Sequence, residues 1–176
     1  MTARLGRNRR RHRKVSAQDP PKDPEALSYQ WERFGPISSE LPGPFLKNWE
    51  ESGCLQDQVT FDVNWNHYFD CDLAGRLIVL TVRRNTVLVG YAMVINYPHP
   101  HHVGTEWAHV DCIWLNPAYR LGFAGMRMIR ELVRYLDKAG VQAVTCGIPL
   151  QQERVGKLLK RYGFGPVETV YARIKP

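Results

Sequence analysis

Three features of the sequence predict an α/β (α+β) domain built on a single mixed, mostly antiparallel sheet flanked by helices. Two β-branched runs, Leu77–Val82 (LIVLTV) and Thr86–Ile95 (TVLVGYAMVI), are joined by only Arg83, Arg84 and Asn85, which is the signature of a hairpin. Further on, Met126, Ile129, Leu132, Val133 and Leu136 recur at helical spacing. Behind that helix a strand, a helix and a strand alternate with no internal repeat, the order of a sheet with crossover helices on its faces.

The elements follow from the N-terminus. The first fourteen residues contain Arg4, Arg7, Arg9, Arg10, Arg11, Arg13 and Lys14 and no acid. Such a run cannot build a core, so residues 1–15 read as a disordered basic tail. Residues 16–44 hold six of the twelve prolines and read as a linker and lead-in, with Leu27–Phe34 as a short first strand. The folded domain is then residues 45–176. Phe45–Ser52 and Asn64–Asp72 have the mixed polar and aromatic character of short helices. After the hairpin, Ala108–Leu115 (AHVDCIWL) is a third strand stopped by Asn116 and Pro117. Arg127, Arg130, Glu131, Arg134, Asp137 and Lys138 occupy the polar side of the amphipathic helix, and Gly140 ends it. Val141–Ile148 reads as a strand, Glu153–Tyr162 as a helix with Val155, Leu158, Leu159 and Tyr162 on one face, and Val167–Ile174 as the last strand.

Composition narrows the class. A chain of 176 residues with 44% hydrophobic and 23% charged residues suits one globular domain. No apolar run reaches the roughly 18 residues that cross a bilayer, and no hydrophobic region follows the basic N-terminus. The expectation is a cytoplasmic protein with no membrane partner. Cys54, Cys71, Cys112 and Cys146 form no CxxC pair, so reduced core thiols are expected rather than a zinc site or a disulfide framework.

The net charge of +7 resides in the tail, because the other 17 basic residues balance 17 acidic ones. Residues 15–119 hold 6 basic and 13 acidic residues, whereas residues 120–161 hold 9 and 3. The C-terminal half therefore suits an anionic ligand and the first half a cationic one. Residues 4–14 read either as an arm for non-specific nucleic-acid binding, through counterion release, or as a solvated extension.

The stretch that carries chemistry runs from Asn116-Pro117-Ala118-Tyr119 through Arg120-Leu121-Gly122-Phe123-Ala124-Gly125 into the amphipathic helix. Free amides and the positive dipole end of a helix N-terminus, glycines that admit close backbone approach, and an arginine with paired donors together favour a phosphate. An ordinary strand-to-helix turn would use the same glycines for geometry alone.

LIVLTV, TVLVGYAMVI, DCIWLNPAYRLGFAG and the closing GFGPVETVYARI together resemble the GNAT superfamily of acetyl-CoA-dependent N-acetyltransferases over about residues 64–176. The pattern is closest to the small phage-type GNAT proteins, which would place the chain in a host cytoplasm. The resemblance implies acetyl-CoA as co-substrate. Its pyrophosphate would lie on Leu121, Gly122, Phe123, Ala124 and Gly125 beside Arg120, and the backbone of Ile113, Trp114 and Leu115 would hold pantetheine and polarise the acetyl carbonyl. The family turn is Q/R-x-x-G-x-G/A, against which Phe123 takes the first glycine position and Gly122 comes one place early. Leu159 stands where the family often has the tyrosine that protonates the departing thiolate.

For transfer to a primary amine by direct attack in a ternary complex, a lysine-like amine of pKa about 10.4 must lose a proton, at ~4 to 5 kcal/mol at pH 7. Asp111 is the first candidate base, since strand alternation sets His109, Asp111 and Ile113 on one face. Glu106 is the second and His109 the third. Tyr171 or Tyr162 would replace the missing tyrosine as acid. His99-Pro100-His101-His102 lacks a third ligand at metal spacing and reads as a substrate-rim loop, so no metal is expected. Trp65, Tyr68, Trp107 and Trp114 are candidates to line an acceptor groove. The acceptor is any amine-bearing small molecule, protein or modified base. The competing reading is a non-catalytic GNAT-fold binding module, associated with nucleic acid through its tail.

Overall fold

In the computed structural model, which describes residues 27–52, 55 and 58–174, the hairpin forms strands β2 (Leu77–Arg84) and β3 (Val87–Pro98). Its turn is Asn85-Thr86, one residue later than the sequence places it, and Asn85 takes the left-handed φ of 54° that a tight reversal needs. The strands extend to Arg83 and Arg84 because Arg83 is buried and satisfied. Its guanidinium donates to Glu32 Oε2 at 2.9 Å, to Glu40 Oε1 at 2.8 Å and to the Thr86 carbonyl at 2.8 Å.

Strand β1 (Leu27–Glu32) pairs with β2, and β4 (Glu106–Leu115) pairs with β3, all antiparallel; β5 (Ala143–Cys146) joins β4 in parallel. The order β1-β2-β3-β4-β5 is the mixed, mostly antiparallel sheet that the sequence predicts. Helix α4 (Ala124–Lys138) buries Ala124, Met128, Leu132 and Leu136 against one face of it, where Leu80, Val82, Ala92 and Val110 wait. Helices α1 (Phe34–Ile37), α2 (Pro42–Ser52) and α3 (Trp65–Leu73) cover the other face, packing Phe34, Ile37, Leu41 and Phe45 on Val79, Tyr91, Met93 and Trp114. Asn64 caps α3 by accepting the His67 N–H at 3.1 Å. Helix α5 (Glu153–Lys160) lies against the start of α4, where Tyr162, just beyond it, donates its hydroxyl to the Met126 carbonyl at 2.8 Å.

Three expectations need correction. The sequence reading starts the domain at residue 45, whereas residues 27–44 already supply β1, α1 and four buried core side chains, Leu27, Phe34, Ile37 and Leu41. Pro42 and Pro44 sit in the first turn of α2, where a missing N–H costs no hydrogen bond. Val167–Ile174 forms no strand: Val167, Val170 and Tyr171 are 82–91% exposed and no sheet partner takes them, so β-branched alternation there has no face to bury. Finally, the predicted Val141–Ile148 strand narrows to β5, because Gly147 and Pro149 end the pairing. The basic tail, Cys54 and the last two residues lie outside the described residues.

Candidate active site

The pairing of β4 with β5 stops at Val110↔Cys146, while β4 stays on β3 as far as Gly90↔Leu115. Residues 111–115 thus run beside β3 alone, and a wedge opens on the β5 side. Gly90 makes this arrangement possible, since a Cβ there would come within 2.7 Å of Leu115 Cδ1 and 3.0 Å of the Trp114 carbonyl. Of the residues expected to meet the coenzyme arm, Ile113 and Leu115 direct their side chains to the α4 face and Trp114 to the α1–α3 face. Their backbone lines the open edge.

Beyond Leu115 the chain turns at Asn116, whose Oδ1 accepts the Ala118 N–H at 3.0 Å, and makes a short helical turn over Pro117–Tyr119. Gly122 then takes a φ of 77°, the left-handed conformation that glycine alone adopts freely, and α4 begins at Ala124. The glycine that comes one place early in the turn is thus the residue that takes the left-handed conformation. Phe123 caps α4 without a side-chain hydrogen bond, and the first carbonyl of the helix is met by the Arg127 N–H, onto Phe123 O at 2.8 Å. The amides ahead of Arg127 face a turn whose Leu121 and Phe123 are 72% and 69% exposed, so they remain available to an anion. Arg120 is held at this turn by donation from Nε to the Leu115 carbonyl at 2.6 Å, and its Nη2 meets Glu51 Oε2.

Asp111 occupies a β-bulge. The register passes from Met93↔Cys112 to Val94↔Val110, so Asp111 is the extra residue of β4. The bulge overturns the expectation of strict alternation: Ile113 packs with Val110 on the α4 face, and His109 is on the opposite face from Ile113. Asp111 is exposed, its Oδ2 accepts the Tyr68 hydroxyl at 2.7 Å, and the carboxylate also meets the Cys112 thiol. Around this pair stand Tyr91, whose hydroxyl accepts from Asn48 Nδ2 at 3.3 Å, and Cys112. Burial pushes the Tyr68 and Tyr91 hydroxyls above the ordinary tyrosine value, and the Cys112 and Asp111 charges push the same way. Burial, then Asp111, does the same to the Cys112 thiol. Tyr68, Tyr91 and Cys112 therefore stay protonated beside the Asp111 carboxylate.

The other candidates are placed differently. Glu106 is exposed at the start of β4, with its backbone tied to Gln142 and its carboxylate without a partner among the described residues. His109 shares a 2.8 Å hydrogen bond between Nδ1 and Thr145 Oγ1, where β4 and β5 are still paired. Tyr171 is 91% exposed and has no hydrogen bond among the described residues, so the structure does not bring it to the wedge. Tyr162 spends its proton on Met126 O, and Leu159 is buried. His99 and His102 lie on the Trp107 ring, at centroid distances of 4.2 and 5.3 Å, and no group of metal-binding side chains forms among the described residues. Trp65 and Tyr68 belong to the aromatic layer around Phe34 and Phe45. Sequence reasoning missed Glu51 and Asn48 outright, and it read Tyr68 as groove lining rather than as the partner of Asp111. Each of these contacts joins residues at least 43 positions apart, and no local motif announces them.

Residues 25–164 match the acetyltransferase (GNAT) family. No curated protein matches the chain. Among solved structures, the ribosomal-protein-alanine N-acetyltransferase from Brucella melitensis biovar Abortus 2308 superposes with a TM-score of 0.62 at 15% identity, covering 85% of this chain and 99% of that one. The aminoglycoside N-acetyltransferase AAC(6')-Iy in complex with CoA gives 0.64 at 13% identity, over 85% and 94% of the two chains. A predicted acetyltransferase with acetyl-CoA from Clostridium acetobutylicum gives 0.66 at 11%, over 84% and 95%. At such identities the structures share the fold, and the family match, which runs from before β1 to just beyond α5 across the wedge and its turn, identifies the chain as a member of the acetyltransferase (GNAT) family of acyl-transferring enzymes.

Proposed function

We propose that the protein is an acetyl-CoA-dependent N-acetyltransferase that transfers acetyl to a primary amine by direct attack in a ternary complex. The observation that carries this reading is the construction of β4, which offers in sequence a bulged carboxylate at Asp111, an edge without a β5 partner over residues 111–115, and an amide-rich turn at 120–125. Arg120 and the amides of Leu121 to Gly125 take the coenzyme diphosphate, and the backbone of Ile113, Trp114 and Leu115 takes the pantetheine arm and the acetyl carbonyl. Two of the solved neighbours are in complex with CoA or acetyl-CoA, which supports the same co-substrate here.

The Asp111 carboxylate accepts a proton from the ammonium, directly or through a water. The freed amine nitrogen attacks the thioester carbonyl carbon. The C–N bond forms, the C–S bond breaks with its electron pair on sulfur, the nitrogen gives up its second proton to solvent, and the thiolate takes one from solvent. Neither Tyr171, which is exposed, nor Tyr162, which is engaged, serves that last step. The net acidity of the first half of the chain suits a cationic acceptor, and neighbours named for aminoglycosides and for ribosomal-protein alanine illustrate two acceptor kinds. The second reading, a binding module without catalysis, is favoured only by the buried Leu159 in place of the family tyrosine.

Calorimetric titration of acetyl-CoA tests the site. Arg120→Ala is expected to weaken binding about tenfold, the scale of one charge-assisted hydrogen bond, while the apo melting curve stays in place. Equal affinity in both proteins would remove Arg120 and its turn from the coenzyme site.

A further inference from the structure

The last turn of α2 bridges the wedge between β4 and β5. Glu51 Oε1 accepts the Trp114 indole N–H at 3.2 Å and Oε2 meets Arg120 Nη2, which ties the helix to β4 and to the turn after it. On the far side the Glu51 carbonyl accepts Gln152 Nε2 at 3.3 Å and the Ser52 carbonyl accepts Gln151 Nε2 at 2.5 Å, which ties the same turn to the approach to α5. A helix C-terminus carries partial negative charge, and Glu51 adds a full one. Arg120 therefore already holds an anion.

We infer that Glu51 is a placeholder for phosphate, a carboxylate that occupies the Arg120 guanidinium until the coenzyme's diphosphate displaces it, and so sets coenzyme affinity. The inference rests on the coenzyme reading of the turn. Two observations separate it from a purely structural ion pair. The partners are 43% and 32% exposed, a setting in which an ion pair adds little to stability and exchanges easily. Arg120 is also anchored independently, because Nε stays on the Leu115 carbonyl when Nη2 is released, so the guanidinium is in place to receive a new anion. A carboxylate and a phosphate oxygen present the same acceptor chemistry to one face of a guanidinium, and only one can hold it at a time.

The test is the dissociation constant of acetyl-CoA for the full chain and for Glu51→Gln, with S-acetylpantetheine, which lacks phosphate, as competitor and control. Glu51→Gln keeps the acceptor for Trp114 and both backbone contacts to Gln151 and Gln152, and removes only the charge. It is expected to bind acetyl-CoA about three- to tenfold more tightly, with no gain for S-acetylpantetheine. Glu51→Asp, which withdraws the carboxylate from Arg120, should shift affinity in the same direction, and it stands in if the first variant melts early. Equal or weaker acetyl-CoA binding by both variants, or an equal gain for S-acetylpantetheine, overturns the placeholder and leaves the coenzyme site intact. Absence of acetyl-CoA binding to every form at millimolar concentration overturns the coenzyme reading, and the placeholder falls with it.

Discussion

Asp111 and Tyr68 bring together a bulge in β4 and a helix on the sheet's other layer, with the carboxylate exposed. If that carboxylate is the base, Asp111→Asn should lower turnover by about 10²- to 10⁴-fold while acetyl-CoA affinity stays within a factor of two or so, a split that steady-state rates and calorimetry read separately. Unchanged turnover would pass the role to Glu106 or His109. Tyr68→Phe keeps the ring among Phe34, Phe45 and Trp65 but deletes the donor. A carboxylate without its donor is no longer held in one orientation, so turnover should fall several-fold while acetyl-CoA affinity stays unchanged. Unchanged turnover would make the pair structural only. Cys146 offers a check on burial beside the wedge. Desolvation pushes its thiol up to about 11, so alkylation by iodoacetamide should be slow at pH 8 and accelerate up to about that value. Rapid labelling at pH 8 would show that β5 opens there. The sequence already exposes Asp111, Arg120 and Gly122 to a reader of local pattern. It hides the Tyr68 contact, and it misleads about His109 and Ile113, because period-two alternation carries no sign of the bulge between Val110 and Cys112.

Between elements, the join of β3 and β4 sets the wedge. Gly90→Ala would push Leu115 and the Trp114 carbonyl aside, and the expected cost is about 1–3 kcal/mol, measured by denaturant unfolding, together with weaker acetyl-CoA binding. A stability loss with unaltered binding would mean that the end of β4 does not line the coenzyme. At the other edge, Arg83 joins β1, β2 and the helical turn at Glu40. The hydrogen bond from Arg83 holds the Glu40 carboxyl below its usual range. A lowered folded value means that the unfolded chain binds the proton first. The contribution is therefore complete above about pH 4.5 and lost as pH falls through the folded value. Glu40→Gln should flatten that part of the acid unfolding curve, modestly because the side chain is 38% exposed. The hairpin and α4 were legible because their patterns are long and regular. Helix α1 was not, and α2 was legible only from Phe45 onward, since prolines that fit a helix's first turn also mark a linker. Val167–Ile174 carried a strand pattern with nothing to pair with, and composition does not reveal whether an edge is available.

At the scale of the molecule, one sheet separates two cores, and both meet at the parting of β4 and β5. The first half of the chain is acidic and the second basic, a division of charge that suits the proposed cationic acceptor and the anionic coenzyme. The basic tail falls outside the described residues, yet its charge makes a separate expectation. Deleting Met1 to Lys14 removes seven cations, so weak non-specific DNA binding should largely vanish, and its logarithmic salt slope in the full chain should not exceed about 6 in magnitude. Equal DNA affinity with and without the tail would reduce it to a solvated extension. Among the described residues no helix is long and apolar enough to cross a membrane. Acetyl transfer is read directly as release of free thiol from acetyl-CoA when the full chain meets a panel of primary amines, namely a polyamine, an aminoglycoside and a lysine-bearing peptide, with the acetylated product identified by mass. Release is expected to require both protein and amine and to fall at least about 10²-fold in Asp111→Asn, although acetyl-CoA still binds. Tight acetyl-CoA binding with no amine-dependent release from any member of the panel would contradict acetyl transfer and establish the chain as a binding module on an acetyltransferase fold.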